Sequence, residues 1–82
     1  MAILRMPAVK AETGYRSHAS IYAAIKCGLF VKPVSISQRS VGWPDYEILA
    51  LNKARIAGQS EAQIKELVNR LHAERSELMV QA

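Results

Sequence analysis

The sequence predicts a mainly α-helical protein with one small β-hairpin, folded as a winged helix-turn-helix and followed by a C-terminal helix. Two short segments with helical start and stop signals are separated by a turn of about three residues, the spacing of a helix-turn-helix unit. A stretch with alternating apolar residues follows and indicates a hairpin. Two further segments with helical spacing complete the order of elements.

The first helix spans the stretch MPAVKAETG, residues 6–14. Pro7 suits the first turn because the N–H that it lacks would have no partner there. Gly14 suits the C-terminal stop because glycine tolerates a left-handed backbone. Leu4 and Val9 offer apolar contacts to a core.

The second helix begins after Ser17, whose hydroxyl can cap the free N–H groups of a first turn. Gly28 is its expected stop. Apolar residues near helical spacing predict the side that faces the core, namely Ile21, Ala24, Ile25 and Leu29. Cys27 lies in the same apolar stretch, and we expect it in the core as well.

The stretch KPVSISQRSVGW changes from helical spacing to alternation. Val34 and Ile36 alternate with a serine, and Val41 and Trp43 alternate with a glycine, on either side of the turn SQRS. Pro33 suits the start of an edge strand because it cannot donate a hydrogen bond to a neighbouring strand. This hairpin is the predicted wing, and Trp43 is its expected hydrophobic anchor.

The third helix spans PDYEILALNKARIAG, residues 44–58. Pro44 fits the first helical position, and Asp45 and Glu47 are favoured at the positive end of the helix dipole. Gly58 is the expected stop. Three apolar residues are expected to face the core: Ile48, Leu51 and Ile56.

Ser60 and Gln63 form a capping box at the start of the fourth and longest helix. Its apolar stripe comprises Ile64, Leu67, Val68 and Leu71. We therefore predict a winged helix-turn-helix domain over residues 1–58. Residues 59–82 are then a helix that packs on this domain or mediates self-association.

Charge is distributed unevenly along the 82 residues, which have the length of one domain. Residues 1–44 hold six basic side chains and one acidic side chain, a net charge of +5. Residues 45–82 hold five basic and six acidic side chains, a net charge of −1. A basic first half favours a polyanionic partner, although chance clustering of a few charges would give the same pattern.

Several functional classes find no support in the sequence. No apolar run is long enough to span a membrane, and the N-terminus lacks the apolar run of a signal peptide, so we expect a cytoplasmic location. His18, His72 and the single cysteine lack the clustered spacing of a zinc site. No nucleophile has a base and an orienting group in a recognisable pattern. We expect no enzyme activity, no metal and no cofactor.

If the second helix enters a DNA groove, bases are read by side chains near its N-terminus. Those side chains are His18, Ala19, Ser20 and Tyr22, with Lys26 further along. Arg16 and Ser17 lie where phosphate oxygens meet the amides of a helix start. The wing region adds four candidates for contacts with a flanking phosphate or the minor groove: Lys32, Ser37, Gln38 and Arg39.

Three of these candidates also have a purely structural interpretation. Ser17 could serve only as a helix cap. Tyr22 could lie largely in the core with only its hydroxyl outside. Arg39 could be a solvated turn residue.

Three stretches closely resemble the AlpA-type prophage regulators: ILRMPAVKAETG, SIYAAIKCGLFVKPVSI and RSVGWPDYEI. That family comprises small winged helix-turn-helix proteins related to phage excisionases and to the DNA-binding heads of MerR-type regulators. The resemblance covers residues 3–58. It implies binding to double-stranded DNA near the attachment sites or promoters of a prophage or genomic island. It further implies a nucleoid-associated activator of integrase genes or a recombination directionality factor, with neighbouring copies and an integrase as partners.

Two functions are therefore open at this point. The first is a sequence-specific DNA-binding regulator of a mobile element. The second is a protein-interaction module in which residues 60–82 dock on a partner helix and the basic first half is only a solvated surface.

Overall fold

The computed structural model describes residues 2–81 and follows the predicted order of elements, with one short strand added at the N-terminus. The elements have these bounds in chain order: β1 (Ile3–Leu4), α1 (Met6–Thr13), α2 (His18–Lys26), β2 (Val34–Ser37), β3 (Ser40–Pro44), α3 (Asp45–Ile56) and α4 (Glu61–Gln81). The fold is a winged helix-turn-helix in which α1 and α2 form the helix-turn-helix unit and β2 and β3 form the wing. The predicted fold class is confirmed.

Both caps predicted in the connection between α1 and α2 are present. Gly14 ends α1 with a left-handed φ of 82°, and its N–H donates to the carbonyl of Lys10. The hydroxyl of Ser17 accepts a hydrogen bond from the N–H of Ser20 at 3.1 Å. This bond satisfies a donor that the first turn of α2 would otherwise leave free.

β3 is the central strand of a three-stranded antiparallel sheet in the order β1-β3-β2. The hairpin pairs Val34 with Gly42 and Ser37 with Ser40, so the predicted wing is confirmed. The sequence pattern does not predict β1, because two residues are too few to show alternation. The close approach of β1 depends on Gly42, where an added Cβ would lie 2.4 Å from Cγ2 of Ile3.

Trp43 is fully buried in the core, as predicted for the anchor of the wing. Its indole N–H donates to the carbonyl of Val31 at 2.9 Å, which satisfies the one polar group of the side chain. The ring of Phe30 packs beside it with centroids 6.3 Å apart. The other core residues are Val9, Ile21, Val31, Ile48, Leu51, Ala54, Ile64, Leu67, Val68 and Leu71.

Helix α4 packs against α3 and contributes its apolar stripe to this core. The capping box at its start is confirmed, because the N–H of Ser60 donates to Oε1 of Gln63 at 2.9 Å. The N–H of Gln63 donates in return to Oγ of Ser60 at 3.2 Å. The division of the chain at residue 58 stays a prediction. Within residues 2–81, every helix is too short or too polar to cross a membrane.

Two apolar residues that we expected in the core lie at the surface. Ile56 is 86% exposed, because five residues after Leu51 correspond to a rotation of about 140° away from the core side of a helix. Cys27 is exposed because it follows the last turn of α2 and lies about 120° around the helix axis from the buried Ile21.

The start of α3 also differs from its prediction. Glu47 lies in the first turn of α3, where we expected an acidic residue, and it is fully buried because it is one turn from the buried Leu51 and therefore on the same side of α3. Arg75 of α4 neutralises its carboxylate. Pro44 is the last residue of β3 and the N-cap of α3, whereas we predicted it at the first helical position.

Candidate nucleic-acid interface

Helix α2 presents an exposed face along its length. His18 and Tyr22 are four residues apart and Lys26 is four residues further on, so the three side chains follow one line on the helix surface. Ala19 and Ala23 are exposed beside this line. Small side chains there let the helix backbone come close to a surface, and an alanine methyl can contact the methyl group of thymine.

A groove of about 410 Å³ lies between α2, the wing and the segment that leads into α1. We call it the basic groove, and its lining residues are Arg5, Met6, Pro7, His18, Tyr22, Arg39 and Val41. Two of these are arginines and none is acidic. A concave surface lined by cations concentrates a positive potential, so this groove attracts anions. Three predicted site residues, His18, Tyr22 and Arg39, therefore share one surface.

Tyr22 lies between the core and the basic groove. Its side chain is 46% exposed, while its ring centroid is 6.5 Å from that of Trp43 at an interplanar angle of 59°. One part of the ring thus rests on the buried core, and the remainder faces the groove. The contact with Trp43 positions Tyr22 on the same surface as His18.

The start of α2 is exposed from Arg16 to Ser20. The hydroxyls of Ser17 and Ser20 are 3.0 Å apart, so the two side chains bond to each other as well as to the helix backbone. Ser17 is therefore a cap, and its exposed position is also one that an anion can reach. Arg16, Ser17 and Ser20 do not line the basic groove.

The tip of the wing is the two-residue turn Gln38–Arg39 between the paired Ser37 and Ser40. The hydroxyl of Ser35 donates to the carbonyl of Ser37 at 3.1 Å and braces the strand next to the turn. Arg39 lines the basic groove, whereas Ser37 and Gln38 are exposed outside it. The wing thus offers one cation to the groove and two polar side chains to the flank.

Lys32 lies in the loop between α2 and the wing, with an exposed side chain. Its main chain is bonded to α4, because its N–H donates to Nε2 of His72 at 3.0 Å and its carbonyl accepts from Nη2 of Arg75 at 2.7 Å. Burial lowers the pKa of His72, and the charges of Arg75 and Lys32 lower it further, against the opposing effect of Glu47. A neutral imidazole nitrogen can accept the N–H of Lys32. Neither Lys32 nor Lys26 lines the basic groove.

Sequence reasoning missed Arg5 as a site residue. Arg5 follows β1, which pairs with β3 through Leu4 and Trp43. This pairing carries Arg5 to the side of the wing, where it lines the same groove as Arg39. The one signal in the sequence is that Arg5 belongs to the basic first half of the chain.

A second and larger groove of about 580 Å³ has the opposite charge. We call it the acidic groove, and its lining residues are Leu4, Glu12, Asp45, Tyr46, Ile48, Leu49 and Asn52. Burial raises the pKa of Tyr46, and the carboxylates of Glu47, Glu74 and Asp45 raise it further, against the charge of Arg75. This groove repels phosphates.

No candidate metal site is present in the part of the chain that the structure describes. Within residues 2–81, no three side chains of His, Cys, Asp or Glu come together in a way that could hold a metal ion.

A winged helix-turn-helix with a cationic groove beside its second helix has the layout of a DNA-binding regulator. The family model of the prophage CP4-57 regulatory protein (AlpA) matches residues 2–56, more than half of the chain. The chain belongs to this family, and the resemblance that the sequence motifs suggested is confirmed. Membership supports a role in phage-related regulation or DNA binding. Helix α4 lies outside the matched residues. No curated protein and no solved structure matches the chain.

Proposed function

We propose that the protein binds double-stranded DNA in a sequence-specific manner, with α2 in the major groove and the wing on the flanking backbone. The observation that carries this proposal is the basic groove, which brings Arg5, His18, Tyr22 and Arg39 together from three separate parts of the chain. An exposed helix can enter a groove of the DNA duplex, and the cations in the two flanking segments can contact its phosphates.

The residues divide into two roles in this proposal. Side chains of the first turns of α2 read base edges, because that end of a recognition helix enters the major groove: His18, Ala19, Ser20 and Tyr22. Charged and polar residues around the helix contact phosphates or the minor groove and fix the orientation of the protein: Arg5, Arg16, Ser17, Lys26, Lys32, Ser37, Gln38 and Arg39.

The regulatory setting follows from the family. Because the chain belongs to a family of prophage regulatory proteins, we infer that its DNA site lies in a prophage or genomic island, at an attachment site or a promoter. It then acts on the integrase gene, on the excision reaction, or on both. Neighbouring copies of the chain and an integrase are its proposed protein partners, and the nucleoid is its proposed location.

The alternative function is a protein-interaction module that binds a partner through its C-terminal helix. In the structure, the apolar stripe of α4 is already buried against the domain, with Ile64, Val68 and Leu71 at most 6% exposed. A partner that bound this stripe would have to displace it from the core. The structure thus favours the DNA-binding proposal.

Selection of duplexes from a random library at low salt tests the proposal without knowledge of the target sequence. We expect enrichment of one motif and a clear preference for it over its scrambled version in fluorescence anisotropy. The double variant Arg5→Ala/Arg39→Ala should select poorly, and Asp45→Ala, which changes the acidic groove, is the matched control. Failure of the parent protein to enrich any duplex would overturn the proposal.

The regulatory part is tested separately in a host that carries the element. Deletion of the gene should change expression of an integrase reporter or the frequency of excision, measured by amplification of the rejoined chromosomal site. Complementation with the parent protein should restore the value, and complementation with Arg5→Ala/Arg39→Ala should not. A deletion strain that matches the parent in both assays would contradict the regulatory role.

A further inference from the structure

Helix α4 is hydrogen-bonded to the loop that connects α2 to the wing. Residues 31–33 of this loop belong to no helix or strand, and Pro33 has no N–H to donate. The carbonyl of Val31 is bonded to Trp43, while the N–H and the carbonyl of Lys32 are bonded to His72 and Arg75. The wing begins at Val34, two residues after Lys32. Two of these three bonds come from α4, so α4 helps to set the path of the chain into the wing.

The two α4 residues are themselves held firmly. Arg75 donates from Nε to Oε2 of Glu47 at 2.8 Å and from Nη2 to Oε1 at 2.5 Å, while Nη2 also reaches the carbonyl of Lys32. Glu47 is fully buried, so its carboxylate needs this partner and keeps the guanidinium in place. His72 directly follows the buried Leu71 of the α4 stripe. We name these four residues, Lys32, Glu47, His72 and Arg75, the α4 clamp.

We infer that His72 and Arg75 are positioning residues for DNA binding, which place the wing and the Lys32 side chain relative to α2. This inference rests on the proposed function. In this inference, the clamp fixes the distance between α2, which reads bases, and the wing with Lys32, which contacts the flanking DNA backbone. It assigns a role to α4, which lies outside the residues that match the family.

The clamp is also sensitive to protonation of His72. A protonated imidazole is a donor at both nitrogens, so Nε2 could no longer accept the N–H of Lys32. The charged groups that face His72 are Arg75 on α4, Lys32 on the loop and Glu47 on α3. The two cations oppose protonation, and Glu47 is already paired with Arg75. Acidification should therefore loosen the loop without removing any residue that touches DNA.

The first test uses variants that remove one clamp bond at a time. His72→Leu removes the acceptor and keeps the apolar bulk, whereas His72→Gln retains a side-chain acceptor. Arg75→Lys keeps a cation beside Glu47 but loses the fork that also binds Lys32. Arg70→Lys, on the exposed side of the same helix, is the matched control. Circular dichroism at the assay temperature shows which variants are folded.

We expect His72→Leu and Arg75→Lys to bind selected and scrambled duplexes about two- to tenfold more weakly, the range for one lost hydrogen bond. The ratio between the two duplexes should stay at the value of the parent, because α2 is unchanged. Hydroxyl-radical protection of the flanking backbone should weaken. His72→Gln and Arg70→Lys should behave like the parent. In the His72→Leu background, Lys32→Ala should weaken binding less than it does in the parent.

Two results separate failure of the clamp from failure of the proposed function. If His72→Leu and Arg75→Lys bind and protect DNA like the parent while Lys32→Ala and Arg39→Ala weaken binding, the clamp is overturned and DNA binding stands. If substitutions at His18, Lys32 and Arg39 also leave binding unchanged, the proposed function fails with it.

A pH series on folded protein keeps the inference testable should the clamp variants not fold. His18 is the other histidine of the chain and lines the basic groove, so the series uses the His18→Gln background, in which His72 is the remaining histidine. We expect affinity to fall as the pH is lowered from 7.5 towards 5.5 and the flanking protection to fall with it. The same affinity and protection at both pH values would overturn the clamp.

Discussion

The basic groove and the acidic groove are built on the same sheet but suit opposite partners. Their volumes are about 410 and 580 Å³, and both contain exposed apolar surface. Arg5 and Arg39 line the first, whereas Glu12 and Asp45 line the second. The larger groove is thus the one that repels DNA. Charge, and not the size of a concavity, decides which surface of a small protein can take a polyanion.

One buried residue supports both grooves. Trp43 pairs across the sheet with Leu4, which lines the acidic groove, and packs against Tyr22, which lines the basic groove. The two surfaces are therefore mechanically linked but electrostatically separate. Substitutions can break the shared support, or they can change the charge or chemistry of one groove alone.

The largest effect should come from the shared support. Trp43→Ala should lower the free energy of unfolding by about 3–5 kcal/mol, because a fully buried aromatic ring leaves a cavity. Urea denaturation followed by circular dichroism measures the loss. Val41→Ala on the same strand, where the side chain is 39% exposed, should change stability by about 0.5 kcal/mol or less. Equal stability of Trp43→Ala and the parent would contradict the packing described above.

The next effect concerns the chemistry of the helix beside the basic groove. His18→Ala and Ser20→Ala should reduce the preference for selected over scrambled DNA by about 1–3 kcal/mol for a good base contact. Lys26→Ala should weaken both duplexes alike, because it lies two turns further along α2. Competition binding at fixed salt measures both quantities. If the preference survives in the His18 and Ser20 variants, α2 is not the element that reads the sequence.

A smaller effect separates the two grooves by charge. Arg5→Ala and Arg39→Ala should each lower the slope of log affinity against log salt by about one unit, because each removes about one phosphate contact. Asp45→Ala in the acidic groove should leave the slope unchanged. Anisotropy titrations over a salt series give the slopes. Equal slopes for all three variants and the parent would mean that the basic groove does not contact DNA.

The smallest effect is on stability and comes from His72. Its pKa in the folded protein is lowered from 6.5, chiefly by burial, so between the folded pKa and 6.5 the unfolded chain binds more protons. The free energy of unfolding should therefore rise with pH through this window and fall as the pH drops towards the folded pKa. Thermal melts of the parent and His72→Gln at matched pH measure the difference. Identical pH dependence of the two proteins would show that His72 is not buried in its neutral form.

Features that depend on neighbouring residues could be predicted from the sequence. Gly14, Ser17 and the Ser60–Gln63 box act within one turn of a helix, so the residue types alone indicate where helices begin and end. The apolar stripe of α4 and the alternation around the wing are also local signals, because each repeats with the period of a helix or a strand. The position of α2 as an exposed helix followed by a hairpin also follows from these local signals.

Features that depend on distant parts of the chain could not be predicted. Strand β1 is defined only by its pairing with β3, and Arg5 joins His18 and Arg39 only because of that pairing. The ion pair that neutralises the buried Glu47 joins α3 to Arg75 of α4, 28 residues away in the chain. The hydrogen bonds from Lys32 to α4 span 40 and 43 residues. Local sequence patterns therefore predict the helices, the wing and the candidate reading residues. The packing of distant segments determines which cations share a groove and which residues hold the loop that leads into the wing.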